Sequence, residues 1–222
     1  MKAQVRPRWI SGIAVVSLIA LIAMTLGVAI VHGKEKEKEK EKEKEKEKAD
    51  RVRWDIIHLT AGPTVNPGGQ ASAQDNIGDT IAFTGTGTFV APAGRGKTSD
   101  AVTGGGTWTI VTAGGSSAGT YVVTGLVRWE PAPGTFPAAA DNIGNPGDFS
   151  AGLAVLSIEY SDRSHGILVV SCHGAGTPDT VFEGITASKD FVHYWNRLAP
   201  SGTPTGENAN RTSFHIVQRE RD

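Results

Sequence analysis

From Ala49 to Asp222 the chain shows no helical apolar period. It is a succession of short runs rich in Val, Ile, Thr and aromatic residues, each closed off by Gly, Pro, Asn, Asp or Ser clusters. The runs are VRWDIIHL (52–59), DTIAFTGTGTFVA (79–91), GTWTIVTA (106–113), GTYVVTGLVRWEP (119–131), AGLAVLSIEYS (151–161), GILVVSCHG (166–174), TVFEGITAS (180–188) with FVHYWNRL (191–198), and TSFHIVQRE (212–220). That makes eight or nine strands with no helices alternating between them. The pattern predicts an all-β domain, an antiparallel eight- to nine-stranded barrel or, alternatively, a β-sandwich.

One segment argues superficially for a different fold. APAGRGKT (Ala91–Thr98) satisfies a relaxed phosphate-loop pattern. Such a loop needs a strand before it and a helix after it, because the helix N-terminal N–H groups hold the phosphates. The strand is present, but the chain continues as SDAVTGGGTWTI, and a glycine triplet costs a helix about 2–3 kcal/mol relative to alanine. Lys97 is expected at a hairpin tip in water, and no nucleotide is expected there.

Ahead of the β-rich part lie two segments of different physics. Residues 9–31, WISGIAVVSLIALIAMTLGVAIV, carry no charge and follow Lys2, Arg6 and Arg8. About 20 apolar residues suffice to span a bilayer's hydrocarbon core. A cleavable signal has an apolar region of only about 7–15 residues ending at a small-x-small site, so residues 1–33 are expected to be a basic start plus an uncleaved membrane anchor. Residues 34–48 alternate eight lysines with seven glutamates. Strict alternation sets like charges at i,i+4 and leaves no apolar stripe, which suits a hydrated spacer reaching roughly 20 Å. Counting lysines alone favours a cytoplasmic C-terminal side. Their one-to-one interleaving with glutamate and the export-like start favour the opposite, with the β-domain outside the cytoplasm.

Charge and cysteine count exclude whole classes of partner. Of 22 Lys and Arg, three precede the spacer and eight lie in it, leaving 11; of 23 Asp and Glu, seven lie in it, leaving 16, so residues 49–222 carry about −5. Nucleic acid requires a basic footprint, so none is expected as a partner. The one cysteine, Cys172, allows no intramolecular disulfide and no cysteine-based zinc site.

Strand parity narrows the candidate site. In the 119–131 run, Tyr121, Val123, Val127 and Trp129 share one face, and Thr124, Arg128 and Glu130 the other. The 151–161 and 166–174 runs are apolar on both faces, as in a packed sandwich or a filled barrel, and are expected to form a hairpin turning at SDRSHG. A partly apolar interior pocket is the functional alternative. Parity then groups Phe191, His193 and Trp195 on one face, and Ile167, Val169, Ser171 and His173 on one face of another strand. With Glu159 and Glu183 as the nearest acids, the candidate ligand-binding residues are His173, His193, Trp195, Glu159, Glu183 and Ser171. Adjacent Cys172 and His173 point to opposite faces of a strand and form no thiolate–imidazolium pair. There is no His-x-His pair, and no metal or cofactor is expected. The repeated DNIG, at 75–78 and 141–144, reads as Asx-turn chemistry.

The TGTGTF stretch (Thr84–Phe89), running into a Gly-rich turn and continued by GGGTWTI, resembles dirigent and allene-oxide-cyclase-type barrels. The same GTGTF…GGGTW pattern is similar to that of exported bacterial β-rich proteins. The barrel resemblance implies eight strands around a ligand-sized interior, used in that family for isomerisation or for orienting a reactive intermediate. No catalytic residue of the family has a counterpart here. Two functions are therefore expected: a membrane-tethered, non-enzymatic β-domain, bound to the lipid bilayer through residues 9–31, that takes a small ligand or a protein partner; or, alternatively, a barrel-type isomerase or lyase.

Overall fold

A computed structural model describes residues 49–91, 98–198 and 206–217. The anchor at 9–31, the spacer at 34–48 and Lys97 of the glycine-rich turn lie outside the described residues. No helix among the described residues is long and apolar enough to cross a membrane.

The described chain is all-β. In order, its strands are β1 (Arg51–Thr60), β2 (Thr64–Pro67), β3 (Ala71–Gln74), β4 (Thr80–Phe83), β5 (Thr86–Val90), β6 (Val102–Thr112), β7 (Gly115–Ala132), β8 (Ala140–Asp141), β9 (Phe149–Tyr160), β10 (His165–Cys172), β11 (Gly184–Lys189), β12 (Val192–Tyr194), β13 (Asn196–Arg197) and β14 (Gly206–Val217). Six of them close a ring, β1–β5–β6–β7–β9–β14 and back to β1, with every pairing antiparallel. The fold is thus a barrel rather than a sandwich, and its closure removes the unpaired edges that an open sheet exposes.

The remaining strands extend this ring. β9 continues into β10, β11 and β12, while β6 pairs β4, which pairs β3 and then β13. Residues 192–197 therefore pair β11 through β12 and β3 through β13. The long strands β6, β7 and β9 serve both groups, so one core fills the space between them. Trp54, Phe83, Phe89, Trp108, Tyr121, Trp129, Tyr160 and Phe214 all belong to it. Their rings meet edge-on or tilted, with centroids 4.7 Å apart for Trp129–Phe214 and 5.2 Å for Phe83–Tyr121, a geometry aromatic quadrupoles favour. Burying each such side chain contributes about 1.5–3 kcal/mol. Three of their polar tips are satisfied, Tyr121 Oη donating to Thr84 O (3.0 Å), Tyr160 Oη to Ser188 O (2.7 Å) and Trp108 Nε1 to Thr120 O (3.2 Å), while Trp54 Nε1 is buried without a partner. Burial pushes both tyrosine phenols above their ordinary range.

Three stretches depart from strict alternation. The 79–91 run is two strands, because the chain bends at Thr84–Gly85 between β4 and β5. The glycine triplet 104–106 lies inside β6 rather than before it. A Cβ at Gly104, where φ is +118°, would sit 2.4 Å from Thr86 O, so β5 and β6 approach each other there only because glycine is present. In β7, register shifts at 123–125 and 126–128 place Leu126 in the core and leave Val127 38% exposed, reversing their expected faces. Two bulges restore parity, and Trp129 points inward again.

The SDRSHG hairpin forms as expected, with β9 and β10 paired from His165↔Glu159 to Cys172↔Gly152. Asp162 closes the turn by accepting from Ser164 N and Oγ, and from Lys189 Nζ at 2.6 Å. The lysine hydrogen bond is the largest of the effects that hold the Asp162 carboxyl well below the usual range. Both DNIG copies are Asx turns. Asp75 Oδ1 accepts from Ile77 N and Asp79 N, and Asp141 Oδ1 from Ile143 N and Gly144 N. Their glycines serve different ends: Gly78 has φ +97°, whereas Gly144 lets the His215 ring pass within 2.6 Å of where a Cβ would be.

Candidate functional site

The β1 sequence DIIHL places apolar residues on both faces of the strand. Val52, Trp54 and Ile56 enter the barrel core, while Ile57 and Leu59 form a second cluster with Val65 and Ala209. The segment between β7 and β9 covers that outer face, packing Phe136, Ala138 and Ile143 onto it. Polar contacts hold the cover down: His215 Nε2 donates to Asp141 Oδ2 at 2.6 Å, and Thr135 pairs with Ala175. Beside it, Arg53 Nε and Nη2 donate to the buried Asp55 carboxylate at 2.8 and 2.9 Å, and Thr86 Oγ1 donates to it at 2.7 Å.

Between cover and barrel lies a cavity of about 160 Å³. Its walls are apolar, formed by Ile57, Leu59, Pro63, Val65, Phe136, Pro137, Ala138 and Phe149, and it is bordered on its polar side by Cys172, His173, Glu183, Arg211, Thr212 and Ser213. This is the composition of a small-molecule site, mostly apolar with a few placed polar groups. The pocket expected inside the barrel is instead outside it, because the aromatic cluster fills the interior.

The polar side is built from the end of β10, the start of β11 and the middle of β14. Glu183, just before β11, is buried. Its Oε2 accepts from His173 N and its Oε1 from Thr212 N, both at 2.7 Å. Desolvation dominates those two bonds and the nearby Arg211 charge, and pushes the Glu183 carboxyl up to about 7. His173 Nδ1 lies 2.7 Å from Val181 O, a carbonyl that can only accept, so Nδ1 carries the proton and Nε2 keeps its lone pair when the ring is neutral. Burial also pushes the Cys172 thiol up, which makes it an inert core group.

The structure brings together two of the six sequence-derived candidates, His173 and Glu183. Ser171 is fully buried behind them, its Oγ donating to Gly152 O at 3.4 Å and its carbonyl accepting from Thr212 Oγ1 at 2.7 Å. Glu159 faces His165 at the far end of the β9–β10 ladder. His193 and Trp195 stack on each other with centroids 4.6 Å apart, on the outside: Trp195 is 64% and Phe191 97% exposed. Parity groups these three correctly, but the inward residue of the run is Tyr194. Sequence reading misses Arg211, Thr212, Ser213 and the whole cover. The available signal was the adjacent pair Ile56–Ile57, which demands a partner on each face, together with Phe136 inside the Pro- and Ala-rich segment that supplies it.

No protein-family model, curated protein or solved structure matches the chain. The chemistry of the cavity is therefore the guide to function.

Proposed function

We propose that the chain is a membrane-tethered, non-enzymatic β-domain that binds a small, largely apolar ligand outside the cytoplasm. The observation that carries the binding role is the cavity of about 160 Å³, apolar on most sides and polar on one, under the 132–149 cover. An apolar cavity of roughly this size admits a benzene-sized body. Titration of the full-length chain with benzene, monitored by NMR, is expected to shift resonances of Phe136, Phe149 and Ile57, and Ala138→Trp, which fills the cavity, is expected to abolish the shifts. Absence of any response at these residues in the unmodified chain would rule the reading out.

Tethering rests on the uncharged run at 9–31, the basic start before it, and the Glu/Lys spacer after it. An alkaline phosphatase fused to the C-terminus is expected to be active, while a reporter that needs the cytoplasm stays dark. The reverse pattern would mean that the eight lysines of the spacer set the orientation.

His173 beside Glu183 favours a second reading, an isomerase or lyase using the pair for proton transfer. A carboxyl titrating near 7 and an imidazole with a free Nε2 have suitable chemistry. Among the described contacts, however, the Glu183 oxygens are engaged by backbone N–H groups rather than by the imidazole.

A further inference from the structure

Elsewhere among the described residues, Arg53 is paired with Asp55, and the His215 ring hydrogen-bonds Asp141. Arg211 is different. It borders the cavity, makes no ion pair among the described residues, and its Nε is buried without a hydrogen-bond partner. Next but one along β14, Ser213 also borders the cavity, is 2% exposed, and its Oγ has no partner either. Residues 211 and 213 share a strand face, so two unsatisfied donors stand on the same side of one cavity. Buried polar groups in folded proteins are nearly always paired, and an exception asks what completes it. The neighbouring acid does not, since Glu183 forms no ion pair with Arg211 among the described residues and its oxygens accept from His173 N and Thr212 N.

We infer that the cavity binds a small monocarboxylate with a compact apolar body, its carboxylate accepting from Arg211 Nε and Ser213 Oγ. This rests on the cavity reading above and adds the class of ligand. An ionised carboxylate supplies acceptor atoms only, which is what two orphaned donors require. Its planar oxygens suit a guanidinium better than a single-point acceptor does. The walls of Ile57, Leu59, Val65 and Phe136 take the apolar body, and the cavity volume limits that body to about one ring. A dianion is disfavoured because Glu183 borders the same space. Cys172 and His173 are the other titratable groups on the lining, and the cover and β1 contribute none.

The test uses benzoate as the probe and benzene as the neutral control of the same shape, titrated calorimetrically or by NMR into the full-length chain. Benzoate is expected to bind more tightly than benzene. Arg211→Met is expected to weaken benzoate about 10- to 100-fold, the range for a charge-assisted hydrogen bond, while leaving benzene unchanged. Ser213→Ala is expected to weaken benzoate by a smaller factor, and it decides the matter if the arginine variant fails to fold. Benzene binding without benzoate binding, or equal losses for both probes, would overturn the carboxylate assignment and leave the cavity reading standing. If neither probe binds, both fall.

Discussion

Replacing Phe214 with alanine is expected to lower the unfolding free energy by about 3–5 kcal/mol, a large share of the roughly 5–15 kcal/mol that holds a domain folded. Phe214 is fully buried at the centre of an aromatic triad, 4.7 Å from Trp129 and 6.5 Å from Phe89, and Phe89 and Trp129 are themselves 5.3 Å apart. Removing the ring leaves a hole between residues of β5, β7 and β14, which the closed hydrogen-bonded ring cannot collapse to fill. Val127→Ala is the matched control. Strict alternation would bury Val127, but the two β7 bulges turn it outward, so its truncation is expected to cost no more than about 0.5 kcal/mol. Urea denaturation of the two variants measures both values. A costly Val127→Ala together with a mild Phe214→Ala would mean that the register of β7 or the filling of the barrel is wrong.

The second large effect is on the pH dependence of stability. Burial raises the Glu183 carboxyl from 4.5 to about 7 on folding. Between those values the folded state binds the proton and the unfolded state does not, so stability falls as pH rises. The contribution is fully present below about pH 4.5 and lost above about pH 7. A shift of this size corresponds to about 3 kcal/mol. Glu183→Gln removes the titration, although its amide can accept at only one of the two backbone N–H groups. The stability difference between wild type and variant is therefore expected to favour wild type at about pH 5 and to move towards the variant by roughly 3 kcal/mol at about pH 8. Because other titrating groups are common to both proteins, they cancel in the difference. A flat difference across that range would show that Glu183 is solvated or that its two N–H bonds compensate burial.

Val127 and Glu183 also illustrate how far sequence reading reaches. Val127 and Leu126 are adjacent and both apolar, and nothing in GLVRW reveals that a bulge on each side exchanges their faces. Bulges are set by the mismatch between β7 and the strand it pairs, β9, whose Val155, Leu156 and Ser157 reach it only in the folded chain. Glu183 was recognisable as an acid within a β-rich run, and His173 as a histidine at a strand end. Their meeting depends on the pairing of β10 with β11, and Thr212 N of β14 donates to the same Glu183 carboxylate. His193 and Trp195 were grouped by the same parity rule, yet they ended outside. Parity states which residues share a face and is silent about which face is covered.

Local physics is sufficient for the strand-rich class, the hairpin at SDRSHG and the two Asx turns at DNIG, because each depends on φ preferences, short-range hydrogen bonds or alternation within a few residues. The same holds for the glycine triplet of β6, which rules out a phosphate-binding helix at that point. The closure of six strands into a ring, the filling of its interior by aromatic side chains, and the cavity under the 132–149 cover are decided by tertiary packing. Each requires residues far apart in the chain to compete for the same space: Phe214 with Phe89 and Trp129 inside, and Phe136 with Ile57 and Leu59 outside. Two isoleucines in a row announce that both faces of β1 are covered, but only the folded chain shows that one cover is complete and the other leaves room beside Arg211 and Ser213.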